Sequence, residues 1–194
     1  MVSQFVSTHA VNLLGNINYS FPKETHAVGR LDNRSEGLLL LTTNKKITRL
    51  LFEGAIPHKR TYLVQVNNIV SEERVQLIRD GISFRVKGGD NYQSTKCEAE
   101  IITEPGINFP APYDITDRID YTWLRITLTE GKYHQVRKMM AAIHHRCKRL
   151  IRVSIEDLTI GNLQPGEVKE IEEQDFFALL KIGPVPATNR FGTI

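Results

Sequence analysis

Apolar and polar positions change rhythm several times along this chain, and each change marks an element. Gly37 to Thr42 is a nearly unbroken apolar run between turn residues, which predicts a buried strand. Lys59 to Val66 alternates and is rich in β-formers, and so predicts a second. Thr122 to Thr129 alternates most cleanly, with Trp123 on one face and Leu124, Ile126 and Leu128 on the other. Cys97 to Thr103 sets Ala99 and Ile101 against Glu98 and Glu100. Leu150 to Ile155 and Leu158 to Ile160 predict further strands, and Gln4 to Val6 a weaker one.

Helical spacing occupies the gaps. Asn44 caps a short helix with Ile47, Leu50 and Leu51 facing inward. Ser71-Glu72-Glu73 opens another, with acids in its first turn; Val75, Leu77 and Ile78 line its apolar side, and Gly81 closes it. His134 to Ile143 predicts a helix with Val136, Met139, Met140 and Ile143 in the core, and Glu172 to Lys181 a last one. Three prolines and a glycine make 104–120 a long loop. The irregular order of strands and helices predicts an α+β fold, a largely antiparallel central sheet with flanking helices. One domain spans 1–182, and Gly183-Pro184-Val185-Pro186 leads into a mobile tail, 183–194.

Composition adds a few bounds. With 194 residues, 41% hydrophobic, the chain can bury one sizeable core. A net charge of +3 does not announce a nucleic-acid binder, but the cations are unevenly spread. Lys132, Arg137, Lys138, Arg146, Lys148, Arg149 and Arg152 crowd into one stretch with His134, His144 and His145. Taken alone, such a run is a solvated face; beside a catalytic group it becomes a phosphate-binding surface. Cys97 and Cys147 form no Cys-x-x-Cys pair, and His144-His145-Arg146-Cys147 is too compressed for metal ligands, so no metal site is expected. No leader pattern opens the chain and no apolar run nears bilayer length, which points to the cytoplasm and away from membranes. Dinucleotide, Walker, nucleophile-elbow and zinc-protease motifs are missing.

The candidate chemistry centres on Gly29-Arg30-Leu31-Asp32, which precedes the apolar run. A lone aspartate after a turn is usually a turn residue. Here it sits between Arg30 and Arg34, which can hold phosphates, and just before a rigid strand that can support a catalytic group. A cation from the later helix, Arg137, can pair with it bidentately and keep it anionic. An anionic aspartate can act as nucleophile or base without a cofactor. Tyr62 is either an aromatic in a half-buried strand or a ring that stacks on an extruded base. His134 and Gln135 open a helix, so their backbone N–H groups can meet a phosphate.

Several separated stretches carry a resemblance. They are Ala27 to Asp32 with Ser35 to Thr42, Lys59 to Val64, Leu128 to Lys132 with Gln135 to Met139, and Arg149 to Arg152 with Leu163 to Glu167. In this order they resemble the RsuA/RluB/RluE/RluF branch of ribosomal RNA pseudouridine synthases, over about residues 1–172. With no small S4 RNA-binding domain, the chain is most similar to the RluE type, which acts on 23S rRNA. The resemblance implies a pseudouridine-synthase fold with an active-site cleft. It implies isomerisation of one uridine in a ribosomal RNA stem-loop, by a monomer, with no cofactor and no metal. It gives Asp32 the essential role, Tyr62 that of the active-site tyrosine, and Arg137 that of the cation paired with the aspartate. In the implied mechanism the uridine is flipped out, and the aspartate attacks C1′ or removes a proton from C2′. Arg30, Arg34, Lys59, Arg60, Lys132, His134, Gln135, Lys138, Arg149 and Arg152 are the expected RNA contacts.

Two departures from the family pattern carry expectations. The family's opening strand ends in Lys-Pro before the segment matching Val2 to Phe5, so a shortened start with an exposed sheet edge is expected. The turn before Arg149 lacks the usual glycine, so an altered turn is expected at His144 to Cys147. The alternative reading is a non-catalytic rRNA-binding or assembly factor on the same scaffold.

Overall fold

The computed structural model describes residues 1–52, 56–113 and 120–183. In chain order its elements are β1 (His26–Val28), β2 (Glu36–Gly37), β3 (Leu40–Thr42), α1 (Ile47–Phe52), β4 (Arg60–Asn67) and α2 (Glu72–Asp80). There follow β5 (Ser83–Arg85), β6 (Asn91–Gln93), β7 (Glu98–Ile102), β8 (Tyr121–Leu128), α3 (Gln135–Ala142), β9 (Cys147–Ile155), β10 (Leu158–Thr159) and α4 (Glu173–Leu180). The tail expected beyond Gly183 lies outside the described residues, as does part of the proline-rich loop.

The main sheet runs β10-β9-β4-β8-β7, antiparallel throughout, with β2 added in parallel to β9. Its alternation is the predicted one. Leu124, Ile126 and Leu128 of β8 join Val64, Val66, Met139 and Met140 in the larger core, under α2 and α3. Trp123 faces the other way, with Leu63 and Ile151. A third cluster, including Val28, Leu40, Leu51, Phe177 and Leu180, packs α1 and α4 beside the β1–β3 pair. Both helical methionines are fully buried, as their spacing predicts.

Three local departures shape the site. The apolar run 37–42 is not one strand. Gly37 has φ 104, and the chain turns there from β2, beside β9, into β3, beside β1. Residues 4–6 form no strand, although Leu14 N–H donates to Gln4 O at 2.9 Å. The turn without glycine is formed by placing His144 at φ 63, a left-handed position that L residues rarely adopt.

Candidate active site

The loop between β1 and β2 carries Asp32, and three contacts fix it. Ser3 Oγ accepts from Leu31 N–H at 3.0 Å and donates to Leu31 O at 3.1 Å. Ser35 N–H closes a turn onto Asp32 O at 2.9 Å. From α3, the Arg137 guanidinium donates to Arg34 O at 2.6 Å and to Ser35 Oγ at 3.2 Å. Gly29, at φ 72, lets the loop pass the Phe52 ring, which an added Cβ would meet at 3.0 Å.

Asp32 opens onto a cleft of about 270 Å³, lined also by Tyr62, Arg30, Arg60, Lys132, Gln135 and Arg152. Tyr62 stands on β4 directly across from Arg152 on β9. Arg60, two residues before Tyr62 on β4, lies with its guanidinium carbon 5.4 Å from the centre of the Phe52 ring. At the rim, His134 is left-handed at φ 55, and its Nε2 is 3.7 Å from Asp32 Oδ1. Tyr133 stacks on that imidazole with centroids 3.9 Å apart, and Lys138 Nζ lies 5.5 Å over the Tyr133 ring. This exposed aromatic-and-cation stack, suited to a nucleobase, centres on Tyr133, which is not among the RNA contacts expected from sequence. Its sequence signal is an aromatic between Lys132 and His134.

Five of the expected site residues are placed otherwise than the sequence suggests. Arg137 does not pair with Asp32; its guanidinium is engaged by the loop backbone, Ser35 and Cys147 Sγ, so it braces the loop rather than the carboxylate. Arg149 is not part of an exposed basic surface. It is buried, grips both Glu36 carboxylate oxygens at 2.7–3.2 Å, and also reaches the carbonyls of Phe109 and Pro110. Gln135 is likewise buried, accepting from Lys132 N–H at 2.8 Å and donating to Glu130 at 2.5 Å. Lys59 lies outside the cleft and pairs with Glu98 at 2.7 Å. Arg152, also expected on the RNA surface, is 4% exposed at the cleft floor.

Charge bookkeeping within the cleft is uneven. Glu36 is neutralised by Arg149, and Glu130 is engaged by Tyr92, Thr95 and Gln135. The hydrogen bond to Glu130 pushes the Tyr92 phenol up to about 12. Asp32 therefore faces Arg30, Arg60, Lys132 and Arg152, with His134 beside it. Such a cleft suits an anionic ligand, with one carboxylate in reach of whatever enters. Among the described residues, no three His, Cys, Asp or Glu side chains gather as metal ligands, and no helix is long and apolar enough to cross a membrane.

The family model described as RNA pseudouridylate synthase matches residues 8–142. Ribosomal large subunit pseudouridine synthase E of Vibrio parahaemolyticus is 37% identical over 151 residues, 77% of this chain and 61% of its own length. The protein of the same name from Xanthomonas axonopodis pv. citri is 32% identical over 150 residues, 76% of each chain. This chain thus spans about six tenths of the Vibrio relative's length. A crystal structure of a pseudouridylate synthase superposes with TM-score 0.67 at 26% identity, covering 84% of this chain and 63% of that one. The matched segment contains the Asp32 loop, Tyr62 and all of α3, and on these grounds the chain belongs to the RNA pseudouridylate synthase family.

Proposed function

We propose that this protein isomerises a uridine to pseudouridine in ribosomal RNA, that the RNA is the 23S species, and that Asp32 carries the reaction. The observation behind this reading is one carboxylate, paired with no lysine or arginine, on a braced loop at a cleft lined by Tyr62 and four cations. The large-subunit name borne by the Vibrio and Xanthomonas relatives supports the choice of RNA.

In this reading the RNA backbone meets Arg30 and Lys132 at the mouth, and the target nucleotide swings out of its stack into the cleft. Tyr62 supplies a face for the base. Asp32 then bonds to C1′ or removes the C2′ proton; in either route the C1′–N1 electron pair stays with the uracil. The base turns and C5 bonds to C1′, as the Asp32–C1′ bond breaks in the first route or the proton returns to C2′ in the second; the C5 proton is then lost and N1 takes one up. Each step uses side chains of this protein alone. A stem-loop whose base is poorly stacked is the expected target, since less stacking is lost on flipping. The protein acts as a monomer in the cytoplasm.

The test is pseudouridine mapping of total rRNA from cells lacking the protein, restored with the parent or with Asp32→Asn. The expected result is one large-subunit pseudouridine that disappears and returns only with the parent. An unchanged map would overturn the reading in favour of a non-catalytic rRNA-binding factor, and a site in the small subunit would overturn the choice of 23S.

A further inference from the structure

Resting on that reading, we propose that Arg152 is the positioning residue of the site, acting through the Tyr62 hydroxyl and the Asp32 carboxylate rather than through RNA phosphates.

A bulge aims it. Along β4 and β9, Thr61 pairs with Ser154 but Tyr62 pairs with Arg152, so Val153 is the extra residue. Without that bulge Tyr62 would face Val153, and Arg152 would project from the opposite face of the sheet. The guanidinium is then fastened. Its Nε donates to Leu38 O at 2.9 Å, while Leu38 N–H returns a bond to Arg152 O at 2.8 Å. Gly37 sits so close that a Cβ there would lie 2.2 Å from Arg152 O.

The fastening leaves polar capacity over. Arg152 Nη2 is buried and has no hydrogen-bond partner. A buried guanidinium with an idle donor is costly, and it persists where something uses the charge. Burial pushes Arg152 down from the ordinary arginine value, while Tyr62 and Asp32 push it back up and Arg60 opposes them. Those four groups face one another across the cleft; Lys132, Glu130, Glu36 and Arg30 line its remaining walls. At 4% exposure Arg152 sits at the floor of the cleft, below the mouth where a backbone phosphate would lie, and Tyr62 and Asp32 line the same cleft.

The test uses unmodified ribosomal RNA transcripts of both subunits and counts the pseudouridine formed. Arg152→Met is expected to lower kcat about a hundredfold, as a displaced reactive group does, with KM held within about threefold. Arg152→Lys, which keeps the charge, is expected to recover about tenfold of that loss. In a Tyr62→Phe background, Arg152→Met is expected to cost about tenfold rather than a hundredfold, because the share acting through the Tyr62 hydroxyl is already lost while that through Asp32 remains. Effects that multiply freely, or a raised KM at unchanged kcat, would overturn the proposal. If Arg152→Met fails to fold by circular dichroism, Arg152→Lys in the two backgrounds decides on the same criteria. A parent inactive on every transcript would defeat the proposed function and this inference with it. An active parent with a multiplicative cycle would defeat the inference alone.

Discussion

Arg149 and Glu36 form a buried two-point ion pair, with side chains 7% and 10% exposed, joining β9 to the segment that leaves the Asp32 loop. Removing one partner strands the other charge away from water, which costs about 3–5 kcal/mol. Glu36→Gln and Arg149→Met are therefore each expected to lower the melting temperature by roughly 10 °C. Thermal melts of both variants check this, and an unshifted melt in either would contradict the clamp.

Arg137 touches the loop and not the carboxylate. Arg137→Ala is expected to lower kcat about ten- to a hundredfold by loosening Asp32's support, with little change in KM. Adding Ser35→Ala to that variant is expected to do almost nothing, because the Ser35 hydroxyl has already lost its partner. Steady-state kinetics on the ribosomal transcripts distinguish this from two independent losses.

Gly37 combines φ 104 with a carbonyl in the path of any Cβ. Gly37→Ala is expected to cost more than about 2 kcal/mol. Gly89→Ala is the control, for Gly89 has φ 95 but open space around it. Denaturant midpoints in which the Gly89 variant suffers as much would mean that backbone strain, not β2–β9 contact, governs position 37.

Both thiols are pushed up to about 11, chiefly by burial. A group raised on folding contributes its stabilisation fully below the unfolded value of 9.0 and loses it as pH climbs toward 11. Stability should therefore fall across that alkaline window, and an aromatic disulfide reagent should label native Cys97 and Cys147 far more slowly at pH 8 than it labels the denatured chain. Native labelling at the denatured rate would contradict their burial.

The parts of this fold that are legible in the sequence are those where one face is buried over several residues. β4, β8 and α3 carry that signal, and their predicted bounds lie close to the observed ones. The β5–β6 hairpin escapes because each strand has three residues and Phe84 is its one buried position, too little for a period to show. Asp32 and Tyr62 are legible as candidates through the motifs around them, and they do share a cleft. The arginines are not sorted by sequence. Arg149 and Arg152 look like parts of a basic surface until Glu36 and the Val153 bulge, both distant or non-periodic features, turn them inward. Gln135 misleads similarly, since its amide engages Glu130 and the Lys132 amide instead of facing solvent.

The parallel pairing of β2 with β9 also orders events in time. Leu38 and Arg152 are 114 positions apart, yet each holds the other's backbone or side chain. During synthesis, at about 5–20 residues per second, the aspartate loop emerges roughly ten seconds before the strand that will seat it. The bracing helix α3 emerges shortly before that strand, and Arg152 comes with the strand itself. The floor of the cleft is therefore made last, from the stretch of chain furthest from the loop that it holds.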